Sequence, residues 1–191
     1  MKSIIIILFS VLILSCINQT TKHPIVEIKT EFGNIVIELY PDKAPITCAN
    51  FLRYIDENEF KDAMFYRTVT TSNQPNNDIK IEVIQGGLGF DVEESTFPAI
   101  EHETTDLTGI KHKNGTISMA RSEPGTASTE FFICINDQPE LDFGGMRNPD
   151  GQGFAAFGKI IDGMSVVKTI QSENNKNQML VKAIKIEIVR K

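Results

Sequence analysis

The sequence has no tryptophan, only three cysteines and three histidines, and no excess of positive charge. Its formal net charge of -6 argues against the broad basic field that binding to a phosphate backbone requires. Its longest apolar run, Ile4 to Leu14, is too short to span a bilayer comfortably. The length of 191 residues suits one domain with a sizeable core. We therefore expect a single domain and no nucleic-acid partner.

Motifs for nucleophilic, phosphate or metal chemistry are also missing. The sequence contains no GxSxG, no Walker loop, no dinucleotide fingerprint, no HExxH and no CxxC. His23 lies near the N-terminus, whereas His102 and His112 lie in a polar stretch that is typical of a surface loop. These histidines lack the i, i+4 spacing of a helical metal site. The sequence therefore predicts neither a metal ion nor a cofactor.

The N-terminal residues have the features of an export signal. Lys2 precedes the apolar run, which has the length of a signal-peptide core. The run ends in Ile13-Leu14-Ser15-Cys16, which resembles a bacterial lipobox, where the cysteine is lipidated and becomes the new N-terminus. We expect a lipoprotein signal peptide over 1–15, a lipidated Cys16 with a short tether over 16–24, and a folded domain over 25–190. A plain secretory signal and a buried strand are the alternatives.

Hydrophobic periodicity predicts a mainly β domain with two helices. Alternation around Gly33 predicts a hairpin, while apolar residues at helical spacing predict helices in 41–58 and 164–172. Short strands are expected at Met64–Val69, Ile79–Gln85, Gly115–Ala120, Glu130–Asn136 and Phe154–Ile161, and in the C-terminal stretch VKAIKIEIVR. The segment SENNKNQM is expected to be a polar loop. This pattern predicts a β-barrel or sandwich whose open ends are covered by helices.

Six short motifs follow one another in a characteristic order between Val26 and Val189. They are MFYRTV with Arg67, VIQGG with Gln85, GTISMAR with Met119 and Ala120, EFFICI with Phe132, LD at Leu141, and FAAFGKIIDGM from Phe154. In this order and spacing they resemble the cyclophilin-type peptidyl-prolyl cis-trans isomerases, and the helix sequence PITCANF adds to the resemblance. The resemblance implies a closed eight-stranded antiparallel β-barrel capped by two α-helices, with a shallow proline-binding groove on its outer surface.

The same resemblance implies a set of site residues. Arg67, Gln85 and Phe132 match the catalytic positions. The implied substrate-binding residues are Phe65, Val83, Met119, Ala120, Glu130, Leu141 and Phe154. Without the resemblance, Arg67 has an ordinary alternative as a surface arginine whose stem covers apolar side chains while its head stays in water. Gln85 is then a polar strand end, and Phe132 a second core phenylalanine.

Strand alternation bears independently on which side chains line such a groove. Phe131 and Ile133 lie on one face of their strand, within a continuous apolar row, so Phe132 is expected to point away from the core. By the same rule Phe65 and Arg67 are expected to share a face of theirs.

Three glutamates depart from the family pattern near the expected groove. Glu82 stands where many members have an aromatic residue, Glu130 where a glutamine is frequent, and Glu140 where some members have tryptophan. Together they predict a preference for substrates with Lys or Arg near the proline. The polar run 71–80 is longer than the turn of many relatives, and a solvated surface insertion is favoured over a rim that contacts substrate.

These inferences combine into one functional prediction. We expect a monomeric, lipid-anchored peptidyl-prolyl isomerase in the cell envelope, facing the periplasm, that assists the folding of exported proteins. Its expected partners are proline-containing peptides, unfolded exported proteins and, through the lipid anchor, the membrane. The leading alternative is a non-catalytic module that binds proline peptides on the same fold. A structural envelope lipoprotein without a peptide site is the third.

Overall fold

A computed structural model describes residues 23–89 and 97–191, so the expected signal peptide and Cys16 lie outside the described residues. The strands are β1 Ile25–Thr30, β2 Gly33–Leu39, β3 Met64–Val69, β4 Val83–Gly87, β5 Thr116–Met119, β6 Phe131–Cys134, β7 Ala155–Asp162, β8 Asn175–Lys176, β9 Met179–Lys185 and β10 Glu187–Arg190. The helices are α1 Pro45–Asp56, α2 Thr105–Thr108 and α3 Met164–Gln171, with a 3-10 turn at Pro139–Leu141.

All ten strands belong to one antiparallel sheet with the order β10-β1-β2-β7-β5-β6-β4-β3-β9-β8. The fold is thus mainly β, as the sequence predicts. Hydrogen bonds do not close the sheet, because the pairing order ends at β10 and β8 among the described residues, so the closed barrel is not confirmed. β9 pairs with β3 while β10 pairs with β1, although Ile186 alone separates them.

The described residues contain ten strands and three α-helices, more than the predicted eight and two. One extra strand forms in the expected polar loop, where Asn177 and Gln178 adopt φ values of 52° and 71°. Two successive residues with positive φ suit a tight two-residue hairpin, so β8 can turn back directly into β9. A second extra strand arises because the C-terminal stretch is interrupted at Ile186. The additional helix, α2, lies in a segment expected to be a loop.

The main core lies between the sheet and helices α1 and α3. Phe51 of α1 is fully buried and packs edge-on against Phe131 of β6, with ring centroids 5.5 Å apart.

Pro45 occupies the first turn of α1, where a missing N–H costs nothing. Both Glu103 carboxylate oxygens accept hydrogen bonds from α1 backbone amides, those of Ile46 and Thr47, at 3.1 and 2.7 Å. The helix therefore begins later than the sequence predicts.

A second, smaller apolar cluster lies outside that core. Its members are Val69, Ile81, Val83, Phe132, Cys134 and Leu141. Phe131 and Ile133 belong to the main core, whereas the alternate β6 residues Phe132 and Cys134 belong to this cluster. The alternation predicted for β6 is therefore present, and it supplies an apolar surface away from the core. No helix in the described parts of the chain combines the length and apolar character needed to cross a bilayer.

Candidate functional site

A groove of about 330 Å³ lies above the second cluster. Eight of the ten site residues implied by the resemblance line it, namely Arg67, Val83, Gln85, Ala120, Glu130, Phe132, Leu141 and Phe154. Strands β3, β4 and β6 contribute four of them, three more lie next to the ends of β5, β6 and β7, and Leu141 lies in the 3-10 turn. The fold thus brings together residues that are far apart in the sequence.

Phe65 and Met119 do not line the groove. Both side chains are buried in the main core, with 0% and 1% exposure. A register shift in β3 between Phe65 and Arg67 breaks the alternation, so these two residues face different surroundings despite their spacing. Met119 precedes Ala120, and neighbouring strand residues face opposite sides, so only Ala120 reaches the groove.

Phe132 forms the floor of the groove between two other rings. Its ring is stacked on His112 at 5.8 Å and meets Phe154 edge-on at 5.3 Å. Leu141 beside it is 1% exposed. Aromatic and aliphatic side chains held on several sides have little rotamer freedom, so this floor is a preformed apolar seat.

Arg67 is held in place by two glutamine side chains. Its Nε and Nη2 donate to Oε1 of Gln178 at 3.1 and 2.5 Å, and its Nη1 donates to Oε1 of Gln85 at 2.8 Å. Burial lowers the pKa of Arg67, yet a guanidinium remains charged at neutral pH. A guanidinium carries five N–H donors, and three are engaged by described residues. The remaining donors can serve a substrate.

Gln85 continues this network towards a carboxylate. Its Nε2 donates to the hydroxyl of Tyr66 at 2.8 Å, and that hydroxyl donates to Glu130. Glu130 also accepts from the backbone N–H of Gly89 and the hydroxyl of Thr129, both at 3.0 Å. Burial, and then the nearby Glu130 charge, raise the pKa of Tyr66, so the phenol remains protonated. The chain of bonds fixes which end of the Gln85 amide faces Arg67.

The charges of the groove differ from those expected from the sequence. Among the residues that the structure describes, its lining includes Arg67, Arg121 and Arg147 but only one carboxylate, that of Glu130. Glu82 accepts from the side chain of Asn136 at 2.8 Å, and Glu140 accepts from the backbone N–H of Met146 at 2.9 Å. Neither of these glutamates lines the groove. Two of the three glutamates on which the predicted preference for Lys or Arg rests therefore lie outside the groove, and only Glu130 lines it.

His112 lies beneath the groove, and the prediction that it belongs to a surface loop is wrong. It is 1% exposed. Its Nδ1 is 2.8 Å from Oδ1 of Asp142, and its Nε2 is 2.9 Å from the hydroxyl of Ser118. Because an ionised carboxylate only accepts, Nδ1 carries the proton and Nε2 accepts from Ser118. Burial lowers the pKa of His112.

Hydrogen bonds join the polar run 71–80 to two residues that line the groove, Ile81 and Arg147. Gln74 is 1% exposed; its Nε2 donates to the carbonyls of Thr70 and Ile81 at 2.7 and 2.8 Å. The carbonyl of Ile79 accepts from Nη1 of Arg147 at 2.6 Å. No residue of 71–80 lines the groove, although Ile81, which follows the run, does, so contact of the run with substrate stays untested.

Sequence reasoning missed Gln178, Tyr66, His112 and Arg147. Gln178 is separated from Arg67 by 111 positions, so no local sequence pattern predicts their contact. Tyr66 reaches the network because of the register shift in β3, which alternation does not foresee. No group of three metal-ligating side chains occurs within residues 23–89 and 97–191.

Comparisons with known proteins give a consistent result. A profile described as "Cyclophilin type peptidyl-prolyl cis-trans isomerase/CLD" matches residues 25–191. A peptidyl-prolyl cis-trans isomerase of Acinetobacter baylyi is 38% identical over 152 residues, which are 78% of this chain and 72% of the relative. Peptidyl-prolyl cis-trans isomerase B of Escherichia coli is 35% identical, over 74% of this chain and 80% of its own length.

Solved structures show the same similarity. A cyclophilin-type peptidyl-prolyl cis-trans isomerase of Cryptosporidium parvum, crystallised in the presence of the dipeptide Ala-Pro, superposes with a TM-score of 0.70 at 25% identity. The match covers 87% of this chain and 98% of that one.

Proposed function

The chain belongs to the cyclophilin-type peptidyl-prolyl cis-trans isomerases, and from that premise we propose that Arg67 is the residue that stabilises the twisted amide of its substrates. The protein is an isomerase of X-Pro peptide bonds, consistent with a role in assisting protein folding. The observation that carries the assignment to Arg67 is its immobilised guanidinium, which lines the groove beside the apolar seat and has N–H donors that no described residue engages.

The reaction requires rotation about the bond that precedes proline. Amide resonance sets a barrier of about 18–20 kcal/mol. In the twisted state conjugation is lost and the prolyl nitrogen regains a lone pair. A hydrogen bond from Arg67 to that nitrogen is stronger in the twisted state than in either planar isomer, and this difference lowers the barrier. No covalent bond is formed or broken.

Arg67 alone does not account for a large acceleration. A rate increase of about ten-thousandfold requires about 5.5 kcal/mol. A hydrogen bond to a charged group contributes only about 1.5–3 kcal/mol. The remainder is assigned to the seat formed by Phe132, Leu141 and Phe154, which holds the proline ring and excludes water, and to Gln85, which fixes the guanidinium and the substrate backbone.

Replacement of Arg67 tests this function. Isomerisation of an Ala-Pro peptide by the full-length protein is measured by exchange NMR, together with the dissociation constant of the peptide. Arg67→Ala should lower kcat/KM by roughly 10- to 150-fold, the equivalent of one charged hydrogen bond. Arg53→Ala removes the same charge from an exposed helix position where Arg53 pairs with Glu57, and should leave turnover unchanged.

Two results would speak against the proposal. Peptide binding without any acceleration by the wild-type protein would select the non-catalytic binding module instead. Equal turnover by wild type and Arg67→Ala would show that the guanidinium does not act on the twisted amide.

We also propose that the protein is a monomeric, lipid-anchored enzyme of the cell envelope that faces the periplasm and serves unfolded exported proteins. The support is the sequence pattern of Lys2, the apolar run and the Leu14-Ser15-Cys16 ending. Fractionation of cells that produce the wild-type protein or Cys16→Ser tests this. The wild type should be found in the membrane fraction with the mass of a lipid added, and the variant should carry no lipid. An unmodified wild-type protein would refute the anchor.

A further inference from the structure

The arginines of this protein fall into two groups. Arg53, Arg121 and Arg190 form ion pairs with carboxylates, those of Glu57, Asp150 and Asp56. The other two, Arg67 and Arg147, pair with no carboxylate of residues 23–89 or 97–191, and both line the groove. Arg121 lies in the same groove but is neutralised by Asp150, so among the described lining residues Arg67 and Arg147 are the cations without an ion pair and Glu130 is the one carboxylate.

Arg147 is held at the edge of the groove by two backbone contacts. Its own N–H donates to the carbonyl of Glu140 at 3.1 Å, and its Nη1 donates to the carbonyl of Ile79 at 2.6 Å. The side chain is half-buried. The Nε and Nη2 edge makes no hydrogen bond within the described part of the chain, and such an edge matches the two oxygens of a carboxylate.

The two guanidiniums influence each other. Burial lowers the pKa of Arg147, and the positive charge of Arg67 lowers it further. Like charges at one cavity repel, so a bound anion would be stabilised by both of them. The protein as a whole has a formal charge of -6, so this local positive potential is not part of a general basic field.

We propose that Arg147 is a specificity-determining residue that binds a substrate carboxylate, with the charge of Arg67 adding to the attraction, so that this isomerase favours X-Pro segments with Asp or Glu close to the proline. The proposal rests on the proposed function and names the substrate class of the same groove. The preference is opposite to the one suggested by Glu82 and Glu140, which lie outside the groove.

A peptide series tests the subsite. Peptides carry Glu, Gln or Lys at each of the two positions on either side of one X-Pro bond. Both kcat/KM, by exchange NMR, and Kd, by titration, are measured with the full-length protein. In the wild type at low salt, the best Glu peptide should exceed its Gln counterpart by about three- to fivefold, mainly through KM and Kd. The advantage should shrink only in part at high salt, since a half-buried pair is screened less than an exposed one.

Matched variants locate the effect. In Arg147→Gln the ratio between Glu and Gln peptides should fall to about one. Lys80→Gln removes the same charge from an exposed residue of the neighbouring loop that does not line the groove, and should keep the wild-type ratio. A wild-type ratio of one at every position, or a ratio that survives Arg147→Gln, overturns the proposal.

The two proposals fail separately in this design. Turnover of the Gln peptides reports on the isomerase itself, whatever their affinity relative to the Glu peptides. If no peptide is turned over, the isomerase proposal fails, and the ratio of Kd values still decides whether the carboxylate subsite exists.

Discussion

Arg67 depends for its orientation on Gln178, a residue at the far end of the chain. One amide oxygen of Gln178 accepts from both Nε and Nη2 of Arg67. The Nε2 of Gln178 donates to the carbonyl of Asn73 at 3.2 Å, so its own orientation is fixed too. Gln178 adopts a positive φ of 71°, an uncommon conformation for a residue with a side chain. Residues held in uncommon backbone conformations cluster at functional sites.

Replacement of Gln178 by Ala should lower kcat more than it raises KM. Arg67 then loses two of its three anchoring bonds, and the misorientation affects the twisted state most. We expect a decrease in kcat of roughly tenfold, equivalent to about 1.4 kcal/mol. Peptide kinetics and a thermal melt are the measurements. Lys176→Ala, an exposed position on β8, is the control and should change neither. A wild-type kcat for the Gln178 variant would show that Gln85 alone positions Arg67.

The loop between β3 and β4 forms hydrogen bonds that help to hold residues of the site in place. Gln74 is bonded to the carbonyls of Thr70 and Ile81, and it accepts from the N–H of Ile81 at 3.3 Å. One buried side chain therefore joins the two ends of the loop. Through Asn73 and Ile79 the same loop contacts Gln178 and Arg147. A polar sequence run thus supports Arg67, through Gln178, and Arg147 directly.

Removal of the Gln74 side chain should loosen this loop without unfolding the sheet. Gln74→Ala removes the partner that Gln74 supplies to the N–H and carbonyl of buried Ile81, which costs about 1–3 kcal/mol locally. Hydrogen exchange should become faster for amides in the region 70–81, while those of β5 and β6 stay protected. Asn76→Ala, at an exposed position of the same loop, should leave the exchange unchanged. Protection equal to wild type in the Gln74 variant would contradict this role.

At the scale of the whole molecule, the stability of the fold is linked to pH through His112. This residue is packed under Phe132 and faces Asp142 and Lys111. Burial lowers the pKa of His112 and outweighs the attraction of Asp142, which raises it. The unfolded chain therefore binds a proton near pH 6.5 that the folded chain does not bind. The stabilisation is present above that pH and is lost as the pH falls towards the folded pKa.

The wild-type protein should accordingly lose unfolding free energy from this residue as the pH falls from about 7 to about 5.5. Denaturant titrations at both pH values measure the loss. His112→Gln retains a donor and an acceptor but does not titrate, so its loss over the same range should be smaller by that amount. His102, whose pKa is also lowered by burial, contributes equally to both proteins and cancels. An identical pH dependence of the two would refute the role of His112.

Much of the fold was predictable because it depends on local periodicity. β3 begins and ends at the predicted residues Met64 and Val69, and α3 begins at the predicted Met164, since apolar spacing specifies both. The site was less predictable. Phe65 was expected in the groove because the resemblance implies it and because alternation places it on the same face as Arg67, but the register shift between them breaks that alternation. His112 was expected at the surface because it lies in a polar stretch, and no local pattern predicts its contact with Asp142, which is 30 positions away.

The sequence by itself determined the mainly β class, the order of the strands along the chain and the motifs that identify the family, because these are encoded by neighbouring residues. The tertiary structure alone decided which charges face the groove. Glu82 and Glu140 are neighbours in the sequence of residues that line the groove, but their carboxylates accept from Asn136 and Met146 instead. Arg147 and Gln178 reach the site from loops that are distant in the sequence. The physical reason is that a groove electrostatic potential depends on distances in space, and those distances are set by how the sheet brings remote segments together.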